Sequence, residues 1–349
     1  MAKSWENPRG ELKAPPDSYA RAGVDVAAGN EAVARYREVI GPWRHPGQLD
    51  VFGGFAGLFR LPGSEDRALV ASTDGVGTKV LIAGEMGRYG TVGADLVNHC
   101  VNDILVCSAT PLFFLDYLAV GKLDPDVAAE IVRGCADACR RHDCALLGGE
   151  TAEMPGLYDR SHFDLAGTIV GTVELAAVER LGGVRAGDAI VGLPAVGLHT
   201  NGYSLARALL SRDDWDKPFR EGTYGDALLA EHPSYYEAVR AIQRVAHVKA
   251  MAHITGGGLL ENVGRTLPHD VKAIFEQQRW SVPPIIEELV RRGGLNERER
   301  YRTFNMGVGY TLVVPLGDAA AAIAAAPGAR IVGWIEARVG EEPQVTIHA

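Results

Sequence analysis

The sequence predicts an α+β protein of two domains, each a mixed sheet packed with helices. Three observations carry that expectation. The 349 residues amount to about two domains at roughly 150 residues each. Short apolar runs alternate with helix-period segments along the whole chain. After Glu174 the texture changes, because Gly182-Gly183 and Gly187-Asp188 punctuate a turn-rich stretch before the next apolar run. These place a polar N-terminal arm at 1–17, a first domain at 18–174 and a second at 175–349.

In the first half, Asn30 is read as capping a helix through Ile40, with Val33, Tyr36 and Ile40 at helical spacing. The glycine-rich GGFAGLF (53–59) leads to a strand ending in Ala68–Thr73. A helix over 91–108, a strand over 112–118, and a helix opened by Asp124-Pro125 follow. Residues 144–147 and 164–173 read as strands. In the second half, strands are expected at 189–193, near 273, at 310–314 and at 331–335. Helices are expected at 204–210, 234–245, 259–265, 283–292 and 319–326.

Composition excludes some functions. The chain is 47% hydrophobic and 23% charged, with a formal net charge of −9. An extended nucleic-acid face or a basic membrane patch is therefore not expected. No apolar run approaches a membrane helix, and the start lacks a secretory apolar core. Five cysteines, all within 100–144 and without a CxxC pair, suggest neither a disulfide framework nor a zinc site. A cytoplasmic protein is the simplest expectation.

Several segments carry candidate chemistry. Asp74-Gly75-Val76-Gly77-Thr78-Lys79 follows a strand, and an acid, glycines, Thr and Lys in that order suit a phosphate with a divalent metal. An ordinary glycine-rich turn fits the same text. The chain has 28 Arg but only 7 Lys, so the retained Lys79 marks a possible need for a compact ammonium. On the helix over 91–108, Asp95, Asn98, His99, Asn102 and Asp103 share one arc, opposite Leu96, Val97, Cys100, Val101, Ile104 and Leu105. A solvated face would recruit Lys, Glu and Arg, which are absent here, so the arc reads as metal- or ligand-facing. Asp74, Asp95 and Asp103 are hard oxygen ligands suited to Mg²⁺; His99 reads as a hydrogen-bonded helix residue. Glu150 and Thr151 follow Gly148-Gly149 beyond a strand, where ligands often bind, although a surface loop fits as well. His199, Asn201 and Ser204 precede one helix, and His253 with Gly256-Gly257-Gly258 precede another. Such junctions suit phosphate or simple capping.

Taken together, SYARAGVDVAAGN, GGFAGLF, TDGVGTK, CVNDI, PLFFLDYLAVGKLD, LLGGETAEMPGLY, TNGYSLAR, HITGGGLLEN and YRTFNMGVG resemble the phosphoribosylformylglycinamidine cyclo-ligase, or AIR synthetase, family of purine biosynthesis. The resemblance runs from about Ser18 past Gly309. It implies two domains whose N-terminal halves pair in a homodimer with the ATP site at the interface. It also implies that ATP and Mg²⁺ convert the small-molecule substrate, formylglycinamidine ribonucleotide, to 5-aminoimidazole ribonucleotide, ADP and phosphate, through phosphorylation of the formyl amide oxygen. Another ATP-dependent kinase or synthetase of the same superfamily is the alternative. Carried over by motif, Asp74, Gly75, Gly77, Thr78, Lys79 and Asn102 would face nucleotide phosphates, with Asp74, Asp95 and Asp103 at the metal and Glu150 and Thr151 beside them. His199, Asn201 and Gly256–Gly258 would face substrate and transferring phosphate. Lys79, His199 and His253 are the catalytic candidates, His199 being the first choice for proton transfer. Ser72, Asn98-His99 and Thr110 depart from the family's usual residues.

Overall fold

The computed structural model describes residues 18–41, 43–49 and 54–348. The expected arm at 1–17 and Gly53 of the glycine-rich segment lie outside those residues. The described residues begin with helix α1 (Ser18–Arg21) and helix α2 (Val26–Ile40). Asp25, rather than Asn30, caps α2, accepting the Ala28 N–H at 3.0 Å. Asn30 lies inside the helix and donates to Glu261.

Five strands build the first sheet: β1 (Gly57–Arg60), β2 (Arg67–Gly75), β3 (Thr110–Val120), β4 (Ala145–Glu153) and β5 (Phe163–Glu174). Their order is β1-β2-β5-β3-β4, antiparallel except for β3 and β4. That parallel pair requires a crossover, which α5 (Pro125–Arg141) provides. Asp124 caps α5 by accepting from the Asp126 and Val127 N–H groups.

Helix α3 (Lys79–Met86) follows β2 and leads to α4 (Val92–Leu105). Alternate residues Leu165, Ile169 and Val173 of β5 are buried, and α4 packs on β5 and β2. Helices α4 and α5 cross at Gly93, where a Cβ would lie 2.2 Å from the Ile131 carbonyl oxygen. The sheet also carries Leu112, Leu115, Tyr117 and Leu147 exposed on β3 and β4. Residues 148–150 do not turn away as expected. They continue β4 along β3, and a Cβ at Gly149 would meet Asp116 Oδ1 at 2.3 Å.

The second sheet takes six strands: β6 (Ala189–Pro194), β7 (Ala250–His253), β8 (Val271–Glu276), β9 (Val308–Val314), β10 (Arg330–Ala337) and β11 (Val345–His348), ordered β11-β8-β10-β6-β9-β7. Every residue of β9 is buried, since it lies between two cores. One core includes Val239 and Ile242 of α7 (Tyr236–Val245) and Ala322 of α10 (Ala319–Ala325). The other includes Leu205 of α6 (Tyr203–Leu209), Leu259 of α8 (Gly258–Gly264) and Leu289 of α9 (Pro284–Gly293). The architecture is the expected α+β pair of helix-packed mixed sheets.

Candidate functional site

Helix α4 decides where the site lies. All fourteen of its residues are buried, including the polar arc. The arc faces neither solvent nor an open cleft. It meets residues 231–235 of the second domain. Asn98 donates to the His232 carbonyl at 2.8 Å and accepts from His142 Nε2 at 3.0 Å. Asn102 accepts the Tyr235 N–H at 2.8 Å and donates to the Pro233 carbonyl at 3.0 Å. Asn102, expected at phosphate, is thus committed to holding the second domain.

Asp95 and Lys79 are likewise committed. Lys79 Nζ sits 2.6 Å from Asp95 Oδ2 and donates to the Ala230 carbonyl at 2.7 Å, with both side chains sealed from solvent. The other Asp95 oxygen accepts the His232 N–H at 2.7 Å. Burial raises the Asp95 carboxyl, and the Lys79 ammonium opposes that shift. Asp95 therefore has no free oxygen for the metal expected there, and Lys79 is sealed inside the protein. A buried ammonium needs a carboxylate and a carbonyl close by, and here these partners come from α4 and residue 230.

Asp74 and Asp103 stand together as expected, joined through histidines. His99 Nε2 lies 2.8 Å from Asp74 Oδ2 and 3.7 Å from Asp103 Oδ2, and its Nδ1 is 2.7 Å from Thr200 Oγ1. Burial works against charge on His99, but Asp74 and Asp103 outweigh it and raise the group to about 9. Burial pushes Asp74 up, and His99 more than offsets this, leaving its carboxyl below the ordinary range. Asp103 accepts from Ser72 Oγ at 3.1 Å, and His253 Nδ1 lies 2.8 Å from its other oxygen. Ser72, one of the departures, thereby orients a site carboxylate. His253 is fully buried, and burial holds it low against the pull of Asp103.

His199 stacks on His232 with centroids 4.3 Å apart, and neither of its ring nitrogens has a hydrogen-bond partner. Burial, then His253, Lys79 and His99, hold His199 well below the ordinary imidazole range, so it is neutral. Its φ of +65° is a left-handed conformation costing roughly 1–3 kcal/mol in a non-glycine residue. A left-handed backbone and two unpartnered ring nitrogens thus coincide at this one buried residue.

The loops converge on this place. Thr78 Oγ1 is 3.2 Å from Ser204 Oγ, and a Cβ at Gly256 would lie 3.4 Å from Asn201 Oδ1. Asn262, fully buried, donates to the Gly258 and Gly256 carbonyls and sets the three-glycine loop. Gly77 and Thr78 thus meet the 200–204 loop across the domain seam, and Gly256 lies against Asn201 of that loop. Glu150 and Thr151 do not join them. The register puts Gly75, Ala166, Tyr117 and Glu150 in one row over four strands, so Glu150 lies about 14 Å from Gly75. His232 was missed in the sequence because it belongs to no spacing pattern, and Thr200, the first residue of TNGYSLAR, because nothing in the sequence sets it against His99. Only their cross-domain partners reveal them.

Two family models match the chain: AIR synthase related protein, N-terminal domain, over 53–173, and its C-terminal domain over 185–346. A phosphoribosylformylglycinamidine cyclo-ligase of Myxococcus xanthus is 45% identical over 94% of this chain and 98% of its own length. One from an Anaeromyxobacter species is 48% identical over 93% and 97%. Among solved structures, hydrogenase maturation protein HypE in complex with ATP shares the fold at a TM-score of 0.60 and 18% identity, covering 83% of each chain. The chain belongs to the phosphoribosylformylglycinamidine cyclo-ligase family, ligases of purine biosynthesis.

Proposed function

We propose that the domain seam is where ATP and formylglycinamidine ribonucleotide meet. Asp74 carries this reading. Its side chain is 44% exposed, against 7% for Asp103 and none for Asp95. It stands at the end of β2, where Gly77 and Thr78 approach residues 200–204. A hard carboxylate oxygen open to solvent, with Asp103 behind His99, is a donor set that fits Mg²⁺. When bound, the ion would offset phosphoryl charge beside Asp74. HypE was solved with ATP, and the shared fold supports ATP as the phosphoryl donor here.

A formamide oxygen is a poor leaving group. Its phosphorylation lets the neighbouring amidine nitrogen attack the formyl carbon, close a five-membered ring and expel phosphate. Holding nitrogen and carbon in attack geometry can lower the barrier by roughly 7–11 kcal/mol. Neutral, partner-free His199 is placed to take the proton released by the attacking nitrogen. His253 is the second candidate, tied to Asp103. Lys79 serves as a positioning residue through Asp95 and the 230–232 backbone.

A homodimer is part of this reading. Leu112, Leu115, Tyr117 and Leu147 leave an apolar stretch of the first sheet exposed, and Glu150 shares a row with Tyr117 there. Pairing two such sheets would bring Glu150 and Thr151 to the interface. A cytoplasmic location is supported by five free thiols. No helix among the described residues is long and apolar enough to cross a membrane.

The decisive experiment supplies ATP, Mg²⁺ and formylglycinamidine ribonucleotide and follows the aminoimidazole product with ADP. Asp74→Asn should lower kcat by at least about 100-fold in a protein that still folds, as circular dichroism would check. Near-normal turnover would remove Asp74 from the phosphoryl site.

A further inference from the structure

We infer that the cavity beside α7, walled by residues 177–181 and Ser108, is a binding site for a small phosphate-bearing anion. It measures about 360 Å³, room for a compact ligand. Its walls include Arg180, Arg240, Arg244 and His247 but no Asp or Glu. In a chain with a net charge of −9, that is a local reversal of sign.

The charge on these arginines is not answered from within the protein. Among the described residues, the side chains of Arg180 and Arg244 have no hydrogen-bond or ion-pair partner, and both residues are exposed. Arg88 and Arg141, also at the seam, differ: each lies within 2.7 Å of a carboxylate, Asp226 and Glu231. Arg240 spends one nitrogen on the Ser108 and Ala109 carbonyls and Thr110 Oγ1, and another on Gln243 Oε1, all of them uncharged. Asp318 approaches the rim, where its Oδ2 accepts the His247 backbone N–H at 2.9 Å. Guanidinium forks match the oxygens of a phosphate better than any other small anion-binding side chain.

The cavity wall adds an oriented donor. Gln243 Oε1 accepts from Arg240 at 3.1 Å, which fixes the amide, so its Nε2 donates to Ser108 Oγ at 2.8 Å. The Ser108 hydroxyl thus accepts from Gln243 and keeps its own proton to donate. Ser108 is only 7% exposed, so that donor belongs to the cavity rather than to bulk water. The place is separate from Asp74. Thr110, which Arg240 holds, shares a row with Thr172 and Leu69, five residues along β2 from Asp74, or about 17 Å. A bound anion would brace Ser108, just beyond α4, against α7, just beyond the 231–235 segment that α4 holds.

The test is binding, and it is independent of turnover. The full chain, in a phosphate-free buffer with EDTA at low salt, is titrated calorimetrically with inorganic phosphate and separately with glycerol 3-phosphate. Saturable binding is expected. Arg180→Gln combined with Arg244→Gln should weaken it at least about tenfold, because two charge-assisted contacts are lost. Asp74→Asn should bind as the wild type does. Phosphate binding as tightly as the ester assigns free phosphate as the ligand, and tighter binding of the ester assigns a phosphorylated metabolite. No saturable heat from the wild-type protein with either probe would overturn the proposal whether or not the double variant folds. Unchanged affinity in a folded double variant would overturn it too, as would loss of binding in Asp74→Asn alone, which would move the anion to the phosphoryl site.

Discussion

Lys79 and Asp95 show how far one residue's setting can redirect its role. The pair is dry and close, so removing one charge leaves the other buried without compensation. Lys79→Met should cost about 3–5 kcal/mol, read as a lower urea midpoint. Adding Asp95→Leu should recover part of that loss, since an apolar pair no longer strands a charge. His142 offers a second check. Burial, helped by Arg141, lowers it to about 4 from an ordinary 6.5. Between those values the unfolded chain binds the extra proton, so stability falls as pH drops from 6.5 towards 4. The contribution is on the order of 3 kcal/mol. His142→Gln should flatten that acid limb in melts taken from pH 7 to pH 4. Sequence alone picked out Asp74, Asp103 and His253, which the structure brings together around His99. It could not show that Asp95 is spoken for, because Lys79 lies sixteen positions away on a different helix.

At the level of elements, α4 was legible as a helix with an unusual polar arc, and the arc's lack of Lys, Glu and Arg did signal that it meets no water. What the arc meets was not legible. Apart from His142, the partners of Asn98 and Asn102 lie 130 or more positions along the chain, in a segment with no periodicity. The helix also depends on its crossing with α5. Gly93→Ala would drive a methyl group to 2.2 Å from the Ile131 oxygen, and the helices must part to admit it. The expected cost is about 1–3 kcal/mol, with a lower melting temperature. Strand β4 taught the opposite lesson. Gly148-Gly149 reads as a turn, yet the pair runs on as strand because Asp116 fills the space a side chain would need.

Across the whole molecule, the two halves and most strands could be read from apolar runs, while their mutual docking could not. The exposed leucines on β3 and β4 predict association through the first sheet. Leu115→Glu with Leu147→Glu should convert a dimer to a monomer in sedimentation velocity; a monomeric wild-type protein would remove the pairing. The seam has its own ties. Arg240 donates to the Ser108 and Ala109 carbonyls and to Thr110 Oγ1 at 3.0 Å, the last being another departure from the family pattern. Arg141 pairs with Glu231 and Arg88 with Asp226.

The way α4 spends its amides on residues 231–235 limits how this gene could be divided. A fragment ending after β5 would keep the apolar core of its sheet but strip Asn102 of its Pro233 and Tyr235 partners, leave Asp95 and Asn98 each short of their bonds to residue 232, and rob the Lys79 ammonium of its carbonyl. The second fragment would carry a loop whose backbone donors had lost their acceptors. Neither piece is a self-sufficient module, so modular shuffling of this scaffold would have to move both halves as a single unit.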